Sequence, residues 1–252
     1  MPFQFLLSTR AHDPVLAEAV AMELGFDGVE LVMQSEELRQ VRSYGSLRMV
    51  RAIHAPVVDF VDVASFRGAL DLALKVAAQL NVSLVNIHPG ALGKIGHQNV
   101  VDCIRCLQER ARSTKRTIAY EVLPAPHKPK HKRQMAYPYP VAWLADVKKY
   151  HLPATLDTTH IASWGEAPQY YVSLLGDDLA HVHVSDYAPE ERSQHLFLNS
   201  GTIAWAPFFD GLRAVAESRT IYITLEQAGR FNLREHEDHL TESLGILRKA
   251  LR

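Results

Sequence analysis

Apolar positions along the chain switch repeatedly between a strand-like and a helix-like spacing. Short runs rich in β-branched and aromatic residues predict strands, and a longer stretch with apolar residues at helical spacing follows most of them. The predicted strands are Phe3–Leu7, Gly28–Met33, Met49–His54, Ser83–His88, Thr117–Val122, Ala154–Leu156, Leu179–Val184 and Ile221–Leu225. The pattern therefore predicts eight consecutive βα units.

The predicted helices begin and end at residues typical of helix termini. The first runs from Asp13, a good N-cap, to Leu24, which precedes Gly25. The others are predicted at about Ser65–Leu80, Asn99–Ser113, Pro140–Tyr150, Glu166–Leu175, Trp205–Ala216 and His236–Leu251, and a short helix opens at Ser35. Because no linker interrupts the units, they favour a closed α/β fold, the (β/α)8 TIM barrel, as a single domain over residues 1–252 rather than an open doubly wound sheet.

Composition and charge narrow the classes of protein. With 47% hydrophobic and 22% charged residues, the 252-residue chain can bury a core without disulfides. A formal net charge of -1 gives no overall field that would attract nucleic acid or an anionic membrane. We interpret Cys103 and Cys106 as thiols of one helix rather than as a metal or redox pair. The N-terminus shows no signal peptide and no window reaches a membrane span, so we expect a cytoplasmic protein.

Four metal-ligating side chains end the last four predicted strands: Glu121, Asp157, His183 and Glu226. The C-terminal ends of parallel barrel strands meet at one rim, so we expect these side chains to converge. Carboxylate oxygens with one imidazole nitrogen suit Mn²⁺, Mg²⁺, Co²⁺ or Zn²⁺ better than a metal that seeks thiolates. The sequence therefore predicts one divalent cation held by these four residues.

Further histidines belong to the same rim. His54 and His88 end the third and fourth strands, where they are candidates for a second metal, for substrate contacts, or for hydrogen bonds to adjacent loops. His160 follows Asp157 by three residues and is a candidate substrate-binding residue or an outer-shell group. His195 lies in the loop before the seventh helix and is a candidate for contact with bound substrate or for a hydrogen bond within that loop.

Two carboxylates are candidates for support of these ligands. Glu30, at the end of the second strand, is either an outer-shell acceptor for one of the histidines or a plain structural carboxylate. Asp186 follows His183 by three residues and is expected either to fix that imidazole or to cap the loop. His181 shares a strand face with His183 and is expected to be a deeper, packed histidine.

One irregular segment, Leu123–Met135, comes just after Glu121 and is expected to overhang the pocket. It carries the basic run Lys128–Arg133, which is suited to a phosphorylated or carboxylated sugar or is simply solvated.

The motifs around these residues resemble one known superfamily over nearly the whole chain. They are His54-Ala-Pro, His88-Pro-Gly, Tyr-Glu121-Val, Leu-Asp157-Thr-Thr-His160, His183-Val-Ser-Asp186, the segment from His195 through Gly201-Thr-Ile, and Leu-Glu226-Gln. Through these motifs the chain resembles the xylose isomerase-like TIM-barrel superfamily. Its two best-known branches are the sugar or sugar-phosphate isomerases and epimerases, and the endonuclease IV class of abasic-site nucleases.

The isomerase branch implies one divalent ion that binds adjacent oxygens of a hydroxy-carbonyl substrate and stabilises an enediolate. In that branch, Glu121 and Glu226 would move the proton, one as base and the other as acid. The resemblance also implies that His88, His160 and His195 grip the substrate.

The nuclease branch implies three zinc ions. The first would be held by His54, His88 and Glu121, the second by the four late-strand residues, and the third by His160 with an Asp-x-His pair. The chain has Ser193-Gln194-His195 at that pair, and serine is a poor substitute for an anionic ligand. DNA binding would also need many Lys and Arg contacts to phosphates.

We therefore predict a divalent-metal-dependent sugar or sugar-phosphate isomerase or epimerase with a small-molecule carbohydrate substrate. The alternatives are an endonuclease IV-like phosphodiesterase, a metal-dependent lyase or dehydratase of sugar acids or inositols, and a non-catalytic sugar- or metal-binding protein. Nucleic acid is not the expected partner, a second or third zinc stays open, and a homodimer is in keeping with barrels of this type.

Overall fold

Eight parallel strands form a closed barrel in the computed structural model, which describes residues 2–10, 12–33, 43–56, 62–89, 97–126, 136–227 and 232–251. In chain order the strands are β1 (Phe3–Ser8), β2 (Gly28–Val32), β3 (Val50–His54), β4 (Leu84–Ile87), β5 (Thr117–Glu121), β6 (Ala154–Asp157), β7 (Leu179–Val184), β8 (Asp186–Ala188), β9 (Ser193–Leu196) and β10 (Ile221–Leu225). All except β8 and β9 belong to the barrel, and β10 closes it by pairing with β1 from Phe3↔Ile221 to Leu7↔Leu225. The predicted (β/α)8 TIM barrel is confirmed.

Eight α-helices occur in the described residues. They are α1 (Pro14–Leu24), α2 (Val63–Gln79), α3 (His97–Thr114), α4 (Pro140–Tyr150), α5 (Thr158–Ser163), α6 (Pro168–Leu175), α7 (Trp205–Val215) and α8 (Glu237–Leu251). The side chain of Asp13 caps α1 by accepting hydrogen bonds from the backbone N–H groups of Val15 and Leu16, as its sequence position predicts. The helix predicted at Ser35 and the basic run at 128–133 lie outside the described residues.

Two elements differ from the predicted pattern. The short helix α5 begins directly after Asp157, whose side chain accepts hydrogen bonds from the backbone N–H groups of Thr159 and His160. β8 and β9 form an antiparallel hairpin between β7 and α7. Both lie at the C-terminal rim of the barrel, so they add structure where the candidate residues lie.

The barrel interior changes from apolar to polar toward this rim. Leu6, Ala52, Leu84 and Ala119 form a small apolar cluster of their own. Successive strand residues face opposite sides, so positions two residues further along share the inward face. At those positions lie Ser8, His54, Asn86 and Glu121, and all four are buried. The strands therefore present an apolar floor with a polar layer above it.

The main core lies between the barrel and its helices. Its largest fully buried side chains include Trp143, Phe66 and Phe208, which lie on helices. Cys103 and Cys106 are buried on α3, in agreement with their interpretation as thiols of one helix. Among the helices of the described ranges, none combines the length and apolar character required to span a bilayer.

Candidate metal centre

The four late-strand side chains meet at one point of the rim. Glu121 and Asp157 are the last residues of β5 and β6, His183 lies near the end of β7, and Glu226 directly follows β10. His183 Nδ1 lies 2.8 Å from Glu226 Oε2, 3.4 Å from Glu121 Oε1 and 3.8 Å from Asp157 Oδ2. All four residues are buried. The strands thus bring together the donors that the sequence analysis grouped.

The free donor atoms of this group fit a bound cation. Glu121 Oε1, Asp157 Oδ2 and His183 Nδ1 are buried without a well-formed hydrogen bond to any described residue. Buried polar atoms in proteins nearly always have a partner, since burial without one is costly. One ligand atom from each residue lies within 4.8 Å of the others. Two carboxylate oxygens and an imidazole nitrogen at this separation suit a divalent metal.

The electrostatics of the group favour positive charge at its centre. Burial acts to raise the pKa of Glu121, but the nearby imidazoles of His88 and His183 hold it well below its usual range. Burial acts to lower the pKa of His183, but Glu30, Glu121 and Glu226 raise it well above its usual value. In the metal-free protein a proton on His183 therefore offsets the carboxylates. Metal binding at Nδ1 would release that proton.

Glu30 supports His183 from the opposite side of the ring. Glu30 Oε2 lies 2.9 Å from His183 Nε2 and 3.8 Å from His181 Nε2, and all three side chains are fully buried. A carboxylate at Nε2 leaves Nδ1 directed at the other donors, which is the usual arrangement behind a metal-ligating histidine. This is the contact expected of Glu30 as an outer-shell acceptor.

His181 lies deeper in the barrel, as its position before His183 predicts. Its Nε2 lies 2.8 Å from Thr224 Oγ1, within hydrogen-bonding distance. Burial lowers its pKa to about 4, so its imidazole is neutral near pH 7.

A second group of donors shares Glu121. Glu121 Oε2 lies 3.3 Å from His54 Nε2 and 3.1 Å from His88 Nε2, and the two histidine nitrogens are 3.1 Å apart. The side-chain amide of Asn86 also donates to Glu121 Oε2. The two oxygens of Glu121 therefore face different donor groups, Oε1 toward His183 and Oε2 toward His54 and His88. His54 and His88 also contact each other, not only the adjacent loops.

A third group consists of Asp157, His160 and His195, each with one ligand atom within 4.8 Å of the others. His160 Nδ1 lies 2.8 Å from the carbonyl oxygen of Val122, so Nδ1 carries the hydrogen and donates it. Its Nε2, an acceptor in that tautomer, lies 3.5 Å from Asp157 Oδ2. His195 has a positive φ of 57°, an uncommon conformation for a residue with a side chain.

The alternative in which Asp186 fixes the imidazole of His183 is wrong. Its carboxylate accepts hydrogen bonds from the backbone N–H groups of Tyr187 and Ile203 and from Trp205 Nε1, at 2.8, 3.1 and 3.1 Å. After β7 the chain leaves the barrel for the β8–β9 hairpin, and this turn carries Asp186 away from His183. Asp186 therefore caps the loop that leads to α7.

Sequence reasoning missed Arg10 and Asn86. Arg10 follows β1 at the same rim, and its Nη1 lies 2.6 Å from Glu226 Oε1 and 2.9 Å from His195 Nε2. The signal for Arg10 was its place after a strand, and the signal for Asn86 was a polar residue inside an apolar run. Neither signal belongs to the pattern of a metal ligand.

Comparison with known proteins places this geometry in context. A family model described as "Xylose isomerase-like TIM barrel" matches residues 18–250. The uncharacterized protein Rv0498 of Mycobacterium tuberculosis is 26% identical, with 97% of this chain and 96% of that protein covered. That relative supplies no activity to compare.

Solved structures share the fold at low sequence identity. A D-tagatose 3-epimerase-like protein superposes with a TM-score of 0.74 at 20% identity, covering 99% of this chain and 100% of its own. A D-psicose 3-epimerase, solved in the presence of D-fructose, has a TM-score of 0.73 at 15% identity and coverages of 98% and 99%. An AP endonuclease, family 2, from Brucella melitensis has a TM-score of 0.71 at 16% identity, with 99% of each chain covered. At these identities the similarity shows the fold alone.

Proposed function

This chain belongs to the xylose isomerase-like TIM-barrel family, and on that premise we propose that it is a divalent-metal-dependent isomerase or epimerase of sugars. The observation that supports the proposal best is the buried cluster of Glu121, Asp157 and His183, whose donor atoms lack a hydrogen-bond partner among the described residues. Glu226 Oε2 joins this cluster at 2.8 Å from His183 Nδ1. These four residues would hold the cation, and the two glutamates would also transfer the proton. Sugar 3-epimerases among the solved structures of the same fold agree with a carbohydrate substrate.

A divalent ion at this position would supply Lewis-acid stabilisation of the negative charge that develops when a C–H bond beside a carbonyl loses its proton. The proton transfer itself would be carried out by side chains of the protein. Glu121 and Glu226 enter from β5 and from the end of β10, with β6 and β7 between them in the barrel. They therefore reach a substrate from different directions, one to accept the proton and the other to return one.

The second oxygen of each glutamate is occupied, which fixes the carboxylate for this task. Asn86 donates to Glu121 Oε2, and Arg10 donates to Glu226 Oε1. Each glutamate is thereby left with one oxygen directed toward His183 Nδ1, at 3.4 Å for Glu121 Oε1 and 2.8 Å for Glu226 Oε2. A carboxylate held in one orientation transfers a proton at a defined place.

His160 would bind a substrate hydroxyl group, and His195 would hold Arg10 beside it. The hydrogen bond to Val122 leaves His160 Nε2 as an acceptor. Burial lowers the pKa of His195 to about 4, so it is neutral near pH 7. A neutral His195 accepts the hydrogen bond from Arg10 Nη1 at its Nε2 without adding a charge to the site.

Solvent exchange tests the proposal. Protein loaded with Mn²⁺ is incubated with a panel of ketoses in D2O, and deuterium bound to carbon is measured by NMR. We expect exchange into at least one ketose, and we expect Glu226→Gln and Glu121→Gln to slow it by roughly 10²–10⁴-fold, the usual size of a general acid–base contribution. Glu217→Gln, a glutamate on the N-terminal side of β10, is the matched control. Absence of exchange across the panel, with metal bound, would refute the proposal.

A second candidate function is phosphodiester cleavage at abasic sites. The three donor groups share Glu121 and Asp157, so they form one continuous cluster with places for more than one ion. This arrangement is the observation that favours the nuclease branch. Nicking of an abasic duplex by zinc-loaded protein, abolished in Glu226→Gln, would support it, and an intact duplex at three zinc ions per chain would exclude it.

A further inference from the structure

We propose that Arg10 determines substrate specificity by binding an oxyanion of the substrate, a carboxylate or a phosphate. This inference rests on the proposed function, because it names the substrate class of the same pocket. It assigns to the barrel a recognition residue just after β1, the strand farthest in sequence from the late-strand donors.

Arg10 is fixed in place by two residues of the site. A single nitrogen, Nη1, makes both contacts, at 2.6 Å to Glu226 Oε1 and 2.9 Å to His195 Nε2. Because a guanidinium only donates, His195 Nε2 is the acceptor in this pair. The hydrogen of His195 is then on Nδ1, which lies 3.3 Å from Ser185 Oγ. The guanidinium is therefore oriented before any substrate arrives.

The exposure of Arg10 separates it from the groups it contacts. Its side chain is 41% exposed, whereas that of Glu226 is 5% exposed. His88, on the opposite side of the rim, is only 12% exposed. Arg10 thus keeps part of a permanent positive charge exposed at the rim.

The rest of the guanidinium is suited to an anion. Among the described residues, the side-chain hydrogen bonds of Arg10 all involve Nη1. Nε and Nη2 therefore have no partner in the part of the chain that the structure describes, and their N–H groups form the planar fork that pairs with two oxygens of a carboxylate or phosphate. A neutral hydroxyl group would use at most part of this fork. The chemistry of Arg10 therefore favours a sugar acid or a sugar phosphate over a neutral sugar.

Binding of three matched ketoses tests this inference. D-Fructose, D-fructuronate and D-fructose 6-phosphate differ only at carbon 6, which carries a hydroxyl, a carboxylate or a phosphate. Their affinities for the Mn²⁺-loaded protein are measured by calorimetry, and the ratio of anionic to neutral affinity is compared between variants. Because each ratio is taken within one variant, a general change in the pocket cancels.

We expect the native protein to bind at least one anionic ketose about tenfold or more tightly than D-fructose, as a charge-assisted pair requires. Arg10→Gln should bring the ratio to within about twofold of unity. Arg10→Lys should keep part of the preference, since lysine retains the charge without the fork. Arg110→Gln, which removes an arginine from a surface pair with Asp71, should leave the ratio unchanged. The anion bound more tightly identifies the group.

Equal affinities in the native protein would overturn the inference, and so would a preference that survives in Arg10→Gln. The first outcome needs no variant, so it holds even where Arg10→Gln does not fold. Carbon-bound deuterium is measured on the same three ligands to separate the two proposals. Exchange without anion preference would leave the proposed function standing and remove the role of Arg10. An Arg10-dependent preference without any exchange would support the role of Arg10 in binding and remove the proposed function.

Discussion

The two halves of the barrel rim differ in the chemistry of their donors. The late half, from β5 to β10, contributes the imidazole of His183 and three carboxylates, whose oxygens lie 2.8 to 3.8 Å from His183 Nδ1. Across the rim, β3 and β4 contribute the imidazoles of His54 and His88, which lie against each other and against Glu121 Oε2. The late half therefore carries the negative charge that a divalent cation needs. Within the described ranges, the His54–His88 pair has its carboxylate contact from Glu121, which belongs to the late half.

This difference indicates which half binds the cation more tightly. Oxygen donors with negative charge dominate the sites of Mg²⁺ and Mn²⁺, and imidazoles contribute most to Zn²⁺ sites. We infer that the late half binds the principal cation and that the early half serves a substrate or a weaker second ion.

Removing one anionic oxygen from the late half should have the largest effect. In Asp157→Asn the amide oxygen can still cap α5, a task that Asp157 Oδ1 performs for Thr159 and His160. The charge at Oδ2 is lost, so we expect Mn²⁺ affinity to fall more than about 100-fold, beyond the usual effect of an outer-shell change. Calorimetric titration with Mn²⁺ measures the affinity. An affinity within threefold of the native value would show that Asp157 is not a ligand.

A change behind the ligand should weaken the late half less. Glu30→Gln retains an oxygen for the His183 Nε2 contact but removes its charge. We expect Mn²⁺ affinity to fall by about 10-fold, near the lower end of outer-shell effects. The same titration compares this variant with Asp157→Asn, and the thermal midpoint reports its fold. An effect larger than that of Asp157→Asn would reverse their assigned order.

An equivalent change in the early half should spare the principal cation. We expect His88→Asn to bind the first Mn²⁺ with an affinity within about threefold of the native protein, because the late half keeps all its donors. The expected losses are a weaker second zinc ion or a higher KM for substrate. Metal content by mass spectrometry and steady-state kinetics measure them. Loss of the first ion in this variant would remove the distinction between the halves.

The smallest expected effect is on the free energy of unfolding at acid pH, through His181, which lies deeper in the barrel than the late-half donors. Burial lowers the pKa of His181 to about 4 in the folded chain, against about 6.5 when unfolded. Between these values the unfolded state binds more protons, so the free energy of unfolding should fall as pH is lowered from 6.5 to 4. His183, with a raised pKa, makes its change above pH 6.5 and does not enter this window.

His181→Asn should flatten this dependence. One titrating group contributes at most about 1.4 kcal/mol per pH unit, and the variant should lose up to that slope. Urea denaturation of metal-free protein at pH 4.5, 5.5 and 6.5 measures it. An unchanged slope would mean that His181 is not the neutral, buried group that its surroundings indicate.

Much of the site was predictable because its residues obey one positional rule. Glu121, Asp157, His183 and Glu226 each end a strand-like run, and parallel strands in a closed barrel carry such ends to one rim. A closed barrel can be predicted from the order of strands and helices alone, and the spacing of apolar residues indicates that order. The exact strand ends, by contrast, differ from the predicted ends by one residue in six of the eight barrel strands.

The residues that sequence reasoning missed depend on the path of the chain in space. Arg10 also follows a strand, but a guanidinium cannot bind a metal, and its partners Glu226 and His195 are about 200 residues away. The position of Asp186 is set by the β8–β9 hairpin, whose strands have only three and four residues. Runs this short carry too little alternation to be recognised before the tertiary structure is known.

The most direct test of the central claim is the position of a bound ion. Crystals grown with one equivalent of Mn²⁺ and measured at an anomalous wavelength would locate it. Our account predicts one principal peak bounded by Glu121, Asp157, His183 and Glu226. A principal peak between His54 and His88, or no peak among the four late-strand residues at saturating Mn²⁺, would contradict it.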